Sequence, residues 1–143
     1  MKILDLVDDV RSGCKSVLTT MTLEEYKKLS FFAFNNNGNI DGQRSVIKRS
    51  STAAKIRKRM ADDFRKGAIF PQVVLGVLFS TENMQNLDES KFYMLLESVN
   101  EGQISIINGM QRSNIYFENY EDNKQQKIRV EFWCSDASTK LLY

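Results

Sequence analysis

Histidine is absent from this chain of 143 residues, and proline, cysteine and long apolar runs are scarce. Without histidine, Ser-His-Asp and Cys-His nucleophilic sites, HExxH hydrolases and histidine-based zinc sites are excluded. Any proton transfer would therefore use carboxylates, lysine, tyrosine or water. Cys14 and Cys134 are too few for a disulfide framework or a Cys₄ zinc site. We expect two buried, reduced thiols, and no residue is assigned as a metal ligand.

Long apolar segments are also missing. No apolar run approaches the ~20 residues that cross a bilayer. The acidic first nine residues do not resemble a secretory signal either. We therefore predict a cytoplasmic location and no membrane partner.

Charge is distributed unevenly, although the net charge is only +2. Nine basic and two acidic residues lie between Gln43 and Lys66, so this segment carries +7 and the rest of the chain −5. Such asymmetry is typical of a surface that faces a polyanion, but a solvated helix face rich in good helix formers would look the same. In the first interpretation, the residues that contact a DNA backbone would be Lys48, Arg49, Lys55, Arg57, Lys58, Arg59, Arg65 and Lys66.

The first forty residues give mixed signals. Residues 14–21 suit a strand, Thr22-Leu23-Glu24-Glu25 is a capping-box pattern that opens a helix to about residue 30, and residues 35–39 are rich in turn formers. Phe31-Phe32-Ala33-Phe34 is a short strand candidate. Helical spacing is shared by the apolar residues Ile3, Leu6, Val7 and Val10.

The remaining chain alternates between helix and strand signals. Helices are predicted over 51–66, where Gly67 provides the stop, and over 89–99. Strands are predicted over 71–79, buried on both faces, and over 128–134, where apolar and polar residues alternate. The apolar stripe of the first helix comprises Ala53, Ile56, Met60, Ala61 and Phe64.

Two arginine-ended turns indicate an anion site. The first is Asp41-Gly42-Gln43-Arg44, and the second is Asn108-Gly109-Met110-Gln111-Arg112, which follows the apolar run 104–107. If 104–107 is a strand and 110–121 a helix, Gly109 lets a phosphate approach unpaired N–H groups at the helix start, and Arg112 adds a permanent charge.

Both turns have other interpretations, because Asp-Gly and Asn-Gly also recur in ordinary turns that bind no ligand. Asn-Gly between apolar residues also suits a β-hairpin, and Arg112 would then have no helix start beside it. Even on a helix, Arg112 would commonly pair with a carboxylate such as Glu118 or Glu121.

The chain resembles the opening of a DGQHR domain. The resemblance lies in three successive features, which are Gly42-Gln43-Arg44, the basic helix predicted over 51–66, and the apolar run 69–75. That family has the ParB/sulfiredoxin-like fold and includes the DndB-type proteins of DNA phosphorothioation systems. Residues 108–112 fall where the naming motif Asp-Gly-Gln-His-Arg would lie, and Gly109 and Arg112 match it. Asn108 replaces the acid, Met110 the glutamine and Gln111 the histidine. Met110 also lacks the thiol of sulfiredoxin, which argues against sulfiredoxin chemistry.

The resemblance implies an α+β fold, a small mixed sheet with flanking helices and an inserted helix. It makes residues 1–40 an N-terminal extension and 41–143 the core, which we expect to be cut from a longer protein. It implies DNA as a partner, nucleotide as a second ligand, and a homo-oligomer or partner proteins of modification or defence systems. A nucleoside triphosphate would be the cofactor, and a divalent metal is left open. The phosphate or nucleotide would be held by Gln43, Arg44, Asn108, Gly109, Met110, Gln111 and Arg112.

These observations predict a domain that binds DNA or nucleotide and serves DNA modification, phage defence or their regulation. Two alternatives stay open. One is a metal-dependent nuclease or nucleotide triphosphatase that uses the same pocket with catalytic residues unknown. The other is a protein-interaction or assembly module.

Overall fold

The computed structural model describes residues 1–39 and 51–141. Within them lies one five-stranded sheet, and its strands are β1 (Lys2–Asp9), β2 (Cys14–Thr22), β3 (Val73–Leu78), β4 (Ile104–Asn108) and β5 (Lys127–Ser135). The helices of the same residues are α1 (Leu23–Asn35), α2 (Ser51–Arg65), α3 (Thr81–Met84), α4 (Glu89–Glu97) and α5 (Met110–Glu118). The mixed sheet and its helices confirm the predicted α+β class.

The strand order is β1-β2-β5-β3-β4, with β5 at the centre. β5 pairs antiparallel with β2 and parallel with β3, while β4 is antiparallel to β3. Ile128, Val130, Phe132 and Cys134 are buried on one face of β5, as the alternating pattern predicted. That face forms the core with α1, α4 and α5, as in the edge-to-face contact of Phe92 with Phe132 at 5.2 Å.

The N-terminal residues are part of this sheet. The helical spacing of Ile3, Leu6, Val7 and Val10 was misleading, because residues 2–9 form β1. A β-bulge between Ile3 and Asp5 places Ile3 opposite Thr19 and Leu6 opposite Val17. The extra residue in the bulge thus places the side chains of Ile3 and Leu6 on the same face of the sheet, although they are three positions apart. Val7 and Val10 are exposed.

The strand predicted over Phe31–Phe34 is also wrong, because these residues are the last turns of α1. The capping box at Thr22 starts this helix as predicted, and Ala33 is buried in the core. Phe31 and Phe34 both contact Phe117 edge-to-face, with ring centroids 5.2 and 5.0 Å apart. Packing against a helix distant in sequence therefore decides this segment.

α2 agrees with its predicted range and ends as expected at Gly67. The Gly67 N–H donates to Phe64 O and the Ala68 N–H donates to Asp63 O, both at 2.9 Å, a Schellman ending that uses the positive φ of Gly67. Phe64 is buried, but Ile56 is 54% exposed, so the predicted stripe is wrong at that position. Among the described residues, Met60, Ala61 and Phe64 of the second half of α2 pack on the core.

The other predicted elements are present with shifted ends. β3 is shorter than predicted, and its outward residues Val74 and Leu78 are half-buried. α4 ends at Glu97, and the short helix α3 was not predicted. Both cysteines are buried and free, as expected. Among residues 1–39 and 51–141, no helix is long and apolar enough to span a bilayer.

Candidate phosphate-binding site and basic helix

The turn at residues 108–112 joins β4 directly to α5. Asn108 ends the strand, Gly109 is the N-cap, and Met110 begins the helix. The hairpin interpretation is therefore wrong. Gly109 has φ +117°, and a Cβ there would lie 2.9 Å from Val73 Cγ1. Both the backbone angle and the contact with β3 require glycine at this position.

The start of α5 is electropositive. Gly109 provides no side-chain hydrogen bond to the helix, and the first turn contains no acidic residue. The Ser113 N–H donates to Gly109 O at 2.8 Å, which leaves the earlier N–H groups of the turn without an intrahelical acceptor. The helix dipole adds to this positive end.

Arg112 is half-buried beside this turn. Its Nη2 donates to the Gln72 carbonyl oxygen at 3.0 Å, and its Nε is buried without a hydrogen-bond partner in the described part of the chain. The expected alternative partners are engaged elsewhere, because Glu118 accepts from Asn114 and Glu121 pairs with Lys124. Among residues 1–39 and 51–141, Arg112 forms no ion pair.

Two buried tyrosines lie near the Arg112 charge. The Tyr26 hydroxyl is 2.7 Å from Ser113 Oγ. Burial raises the pKa of Tyr26 to about 12, although its hydrogen bonds and Arg112 oppose the shift. Burial also raises the pKa of Tyr116. Both phenols are therefore neutral at pH 7 and do not balance the Arg112 charge.

Nothing in the sequence indicated the Tyr26–Ser113 contact, because its two residues are 87 positions apart. The sequence patterns were local, and they covered only the turn and its own helix.

The predicted phosphate-site residues have different environments. Asn108 and Gln111 are exposed beside Arg112, whereas the Met110 side chain packs against the core and contributes only its backbone. Gln43 and Arg44 lie outside the described residues. The predicted proximity of Arg44 to Arg112 therefore stays a prediction.

α2 carries an exposed row of cations. Lys55, Lys58 and Arg59 are exposed and lie on one face, because side chains three and four positions apart are neighbours on a helix. Among the residues that the structure describes, none of the three forms an ion pair with a carboxylate. Lys66 is exposed just beyond the helix end.

Other predicted DNA contacts are less available. Arg65 pairs with Asp62 and donates to Asn119 Oδ1 at 2.7 Å, and Arg57 is half-buried. Lys48 and Arg49 lie outside the described residues.

The basic helix α2 lies against α5, the helix that follows the glycine–arginine turn at residues 108–112. Phe64 of α2 contacts Tyr116 of α5, with ring centroids 5.0 Å apart, and Phe70 lies against the same tyrosine at 5.9 Å. The helix that carries the exposed cations is thus anchored on the helix that begins with the candidate phosphate site.

In the described ranges, no group of three or more aspartate, glutamate or cysteine side chains is arranged as metal ligands.

No protein-family model, curated protein or solved structure matches the chain.

Proposed function

We propose that this protein binds DNA through the exposed cations of α2, and that the glycine–arginine turn before α5 holds a phosphate of DNA or of a nucleotide. The observation that carries the proposal is the row Lys55, Lys58 and Arg59. These three side chains are exposed and unpaired with any described carboxylate, although Asp62 and Asp63 lie on the same helix. A merely solvated helix face commonly intersperses charges of both signs.

The physical basis is release of the cations condensed on DNA. Each lysine or arginine that neutralises a phosphate releases a counterion, so affinity falls as salt rises. Because this contribution does not depend on base sequence, binding through α2 is expected to be largely non-specific.

Arg112 and the start of α5 would supply a more localised contact. An arginine–phosphate hydrogen bond sheltered from bulk water contributes roughly 1.5–3 kcal/mol. Arg112 is half-buried, and its buried Nε has no hydrogen-bond partner among the described residues. The exposed amide of Gln111 is a further polar group that can contact the sugar, base or phosphate.

We also propose that the chain is a DGQHR domain of the ParB/sulfiredoxin-like fold, acting in the cytoplasm in DNA modification, phage defence or their regulation. The order α2, β3, α4, β4, glycine–arginine turn, α5 and β5 supports this assignment. A nucleoside triphosphate would be the nucleotide ligand at the turn.

The test is a fluorescence-anisotropy titration of labelled duplex and single-stranded DNA at two salt concentrations. The variant Lys55→Gln/Lys58→Gln/Arg59→Gln should weaken binding at low salt at least about tenfold and lower the salt slope by roughly 3. The matched control, Lys2→Gln/Lys127→Gln/Arg129→Gln, removes the same charge from exposed positions of the sheet. It should retain most of the affinity.

Equal losses in both triple variants would indicate only a net-charge effect and would contradict a DNA surface on α2.

Arg112→Gln, checked for folding by its melting temperature, should weaken ATP binding but should leave most of the salt slope for DNA. Metal-dependent phosphate release or DNA nicking that disappears in Arg112→Gln would instead support the enzyme alternative. Self-association without DNA binding, seen by light scattering, would support the assembly module.

A further inference from the structure

A cleft of about 530 Å³ lies between α1 and α4, and none of its lining residues belongs to α2 or to the turn before α5. Its volume falls within the range of small-molecule sites, roughly 300–1,000 Å³. The apolar side chains that line it include Met21, Leu29, Leu96, Val99 and Ile104.

Both walls of the cleft are fixed by hydrogen bonds. The capping box at Thr22 holds the first turn of α1, and the Met1 ammonium donates to Glu25 Oε2 at 2.6 Å. On the other wall, the Tyr93 hydroxyl accepts from the Ile3 N–H at 3.0 Å and ties α4 to β1. The cleft is therefore preformed, which lowers the entropic cost of binding.

Negative charge predominates among the ionisable side chains that remain available. Glu25 is already paired with the Met1 ammonium. Glu97 and Glu101 are exposed at the opposite wall, and among residues 1–39 and 51–141 neither forms an ion pair. Lys28 of α1 is the cation that lines the cleft without an ion pair in the same residues. An occupant would thus meet an apolar lining, two carboxylates and one ammonium group that form no ion pair within the described residues.

We propose that this cleft binds a small organic cation, an amine whose apolar body covers the lining and whose ammonium group lies beside Glu97 and Glu101. Burial of the alkyl part supplies most of the affinity, and the carboxylates select the sign of the charge. An anion would gain Lys28 but would face two carboxylates. A neutral molecule would gain only the apolar lining.

The test is an NMR titration of the ¹⁵N-labelled protein at low ionic strength with n-hexylammonium, hexanoate and 1-hexanol. These probes share a six-carbon chain and differ in charge. Hexylammonium should shift the amide signals of Leu29, Leu96 and Val99 and should bind roughly three- to tenfold more tightly than hexanoate. Glu97→Gln/Glu101→Gln should abolish that preference while leaving the affinity for hexanol unchanged.

Two further variants act as controls. Lys28→Gln removes the opposing charge, so it should leave hexylammonium binding unchanged or stronger. Asp122→Asn, an exposed acid outside the cleft, should have no effect. Equal binding of all three probes, tighter binding of hexanoate, or shifts confined to residues outside the cleft would overturn the proposal. All substituted side chains are exposed, so the variants are expected to fold. None of these outcomes depends on whether the protein binds DNA.

Discussion

Gly109 is the residue that gives the glycine–arginine turn its shape. Its φ of +117° lies in the region that side chains disfavour, and the space where a Cβ would project is filled by the Val73 side chain. The missing side chain also lets Arg112 approach, since its Nη2 would be 3.3 Å from that Cβ. The turn therefore depends on a contact between β3 and the start of α5.

We expect Gly109→Ala to destabilise the protein by about 3 kcal/mol. Left-handed backbone costs an alanine roughly 1–2 kcal/mol, and the contact with Val73 adds an overpacking cost of the order of 1–3 kcal/mol. Urea unfolding followed by circular dichroism measures the difference.

Two other glycines separate the causes. Gly67 also has a positive φ, but no atom lies within 4 Å of its would-be Cβ, so Gly67→Ala should show the backbone cost alone. Gly102 has neither feature, so Gly102→Ala should be neutral or slightly stabilising. A Gly109→Ala loss no larger than that of Gly67→Ala would show that Val73 moves aside.

At the scale of elements, the start of α1 is the most strongly specified helix end. The Glu25 N–H donates to Thr22 Oγ1 at 3.2 Å, and the Thr22 N–H donates to Glu25 Oε1 at 3.1 Å. Leu23 and Tyr26, in the first turn, are fully buried. Local hydrogen bonds and core packing therefore select the same starting residue.

Thr22→Ala should cost about 1 kcal/mol of stability, because it removes the acceptor for the Glu25 N–H. The midpoint of urea unfolding should fall, and the dependence on denaturant should stay unchanged. Thr139→Ala, an exposed threonine in the 3₁₀ turn Ser138–Leu141, is the control and should differ little from wild type. An equal effect of both substitutions would argue that the cap contributes nothing.

At the scale of the whole molecule, one ion pair joins the edge of the sheet to the helical layer. The Met1 ammonium precedes β1, whereas Glu25 belongs to α1, and the pair spans 24 positions of sequence. Burial alone would raise the pKa of Glu25, but the hydrogen bonds from the Met1 ammonium and the Thr22 N–H outweigh it and lower the pKa.

This shift predicts a pH dependence of folding. Because the pKa of Glu25 is lower in the folded protein than in the unfolded chain, the stabilisation is present above the usual value of 4.5 and is lost as the pH falls further. Glu25→Gln should therefore flatten the loss of unfolding free energy between about pH 5 and pH 3. Glu97→Gln, which removes an exposed carboxylate outside any described ion pair, is the control. An unchanged slope in Glu25→Gln would contradict the role of the pair.

Local signals predicted several elements correctly, and the failures at β1 and at Phe31 involved residues placed by partners distant in sequence. The capping box, the Gly67 stop and the strand–turn–helix at Gly109 were predicted because they depend on neighbouring residues. β1 was not, since its bulge gives Ile3 and Leu6 a spacing that mimics a helix. Phe31 was assigned to a strand because its contact with Phe117 cannot be read from sequence. Ile56 has the right spacing for a core residue, yet it is 54% exposed on α2.

The sequence by itself determined the absence of histidine chemistry, the concentration of positive charge in one segment and the glycine that starts α5. These features follow from residue identity and from interactions across a few positions. Only the tertiary structure decided that Arg112 has no carboxylate partner among the described residues, that Lys55, Lys58 and Arg59 face solvent together, and that α1 and α4 enclose a cleft. Charge pairing and exposure depend on which distant segments pack together, and residue spacing along the chain does not encode that choice.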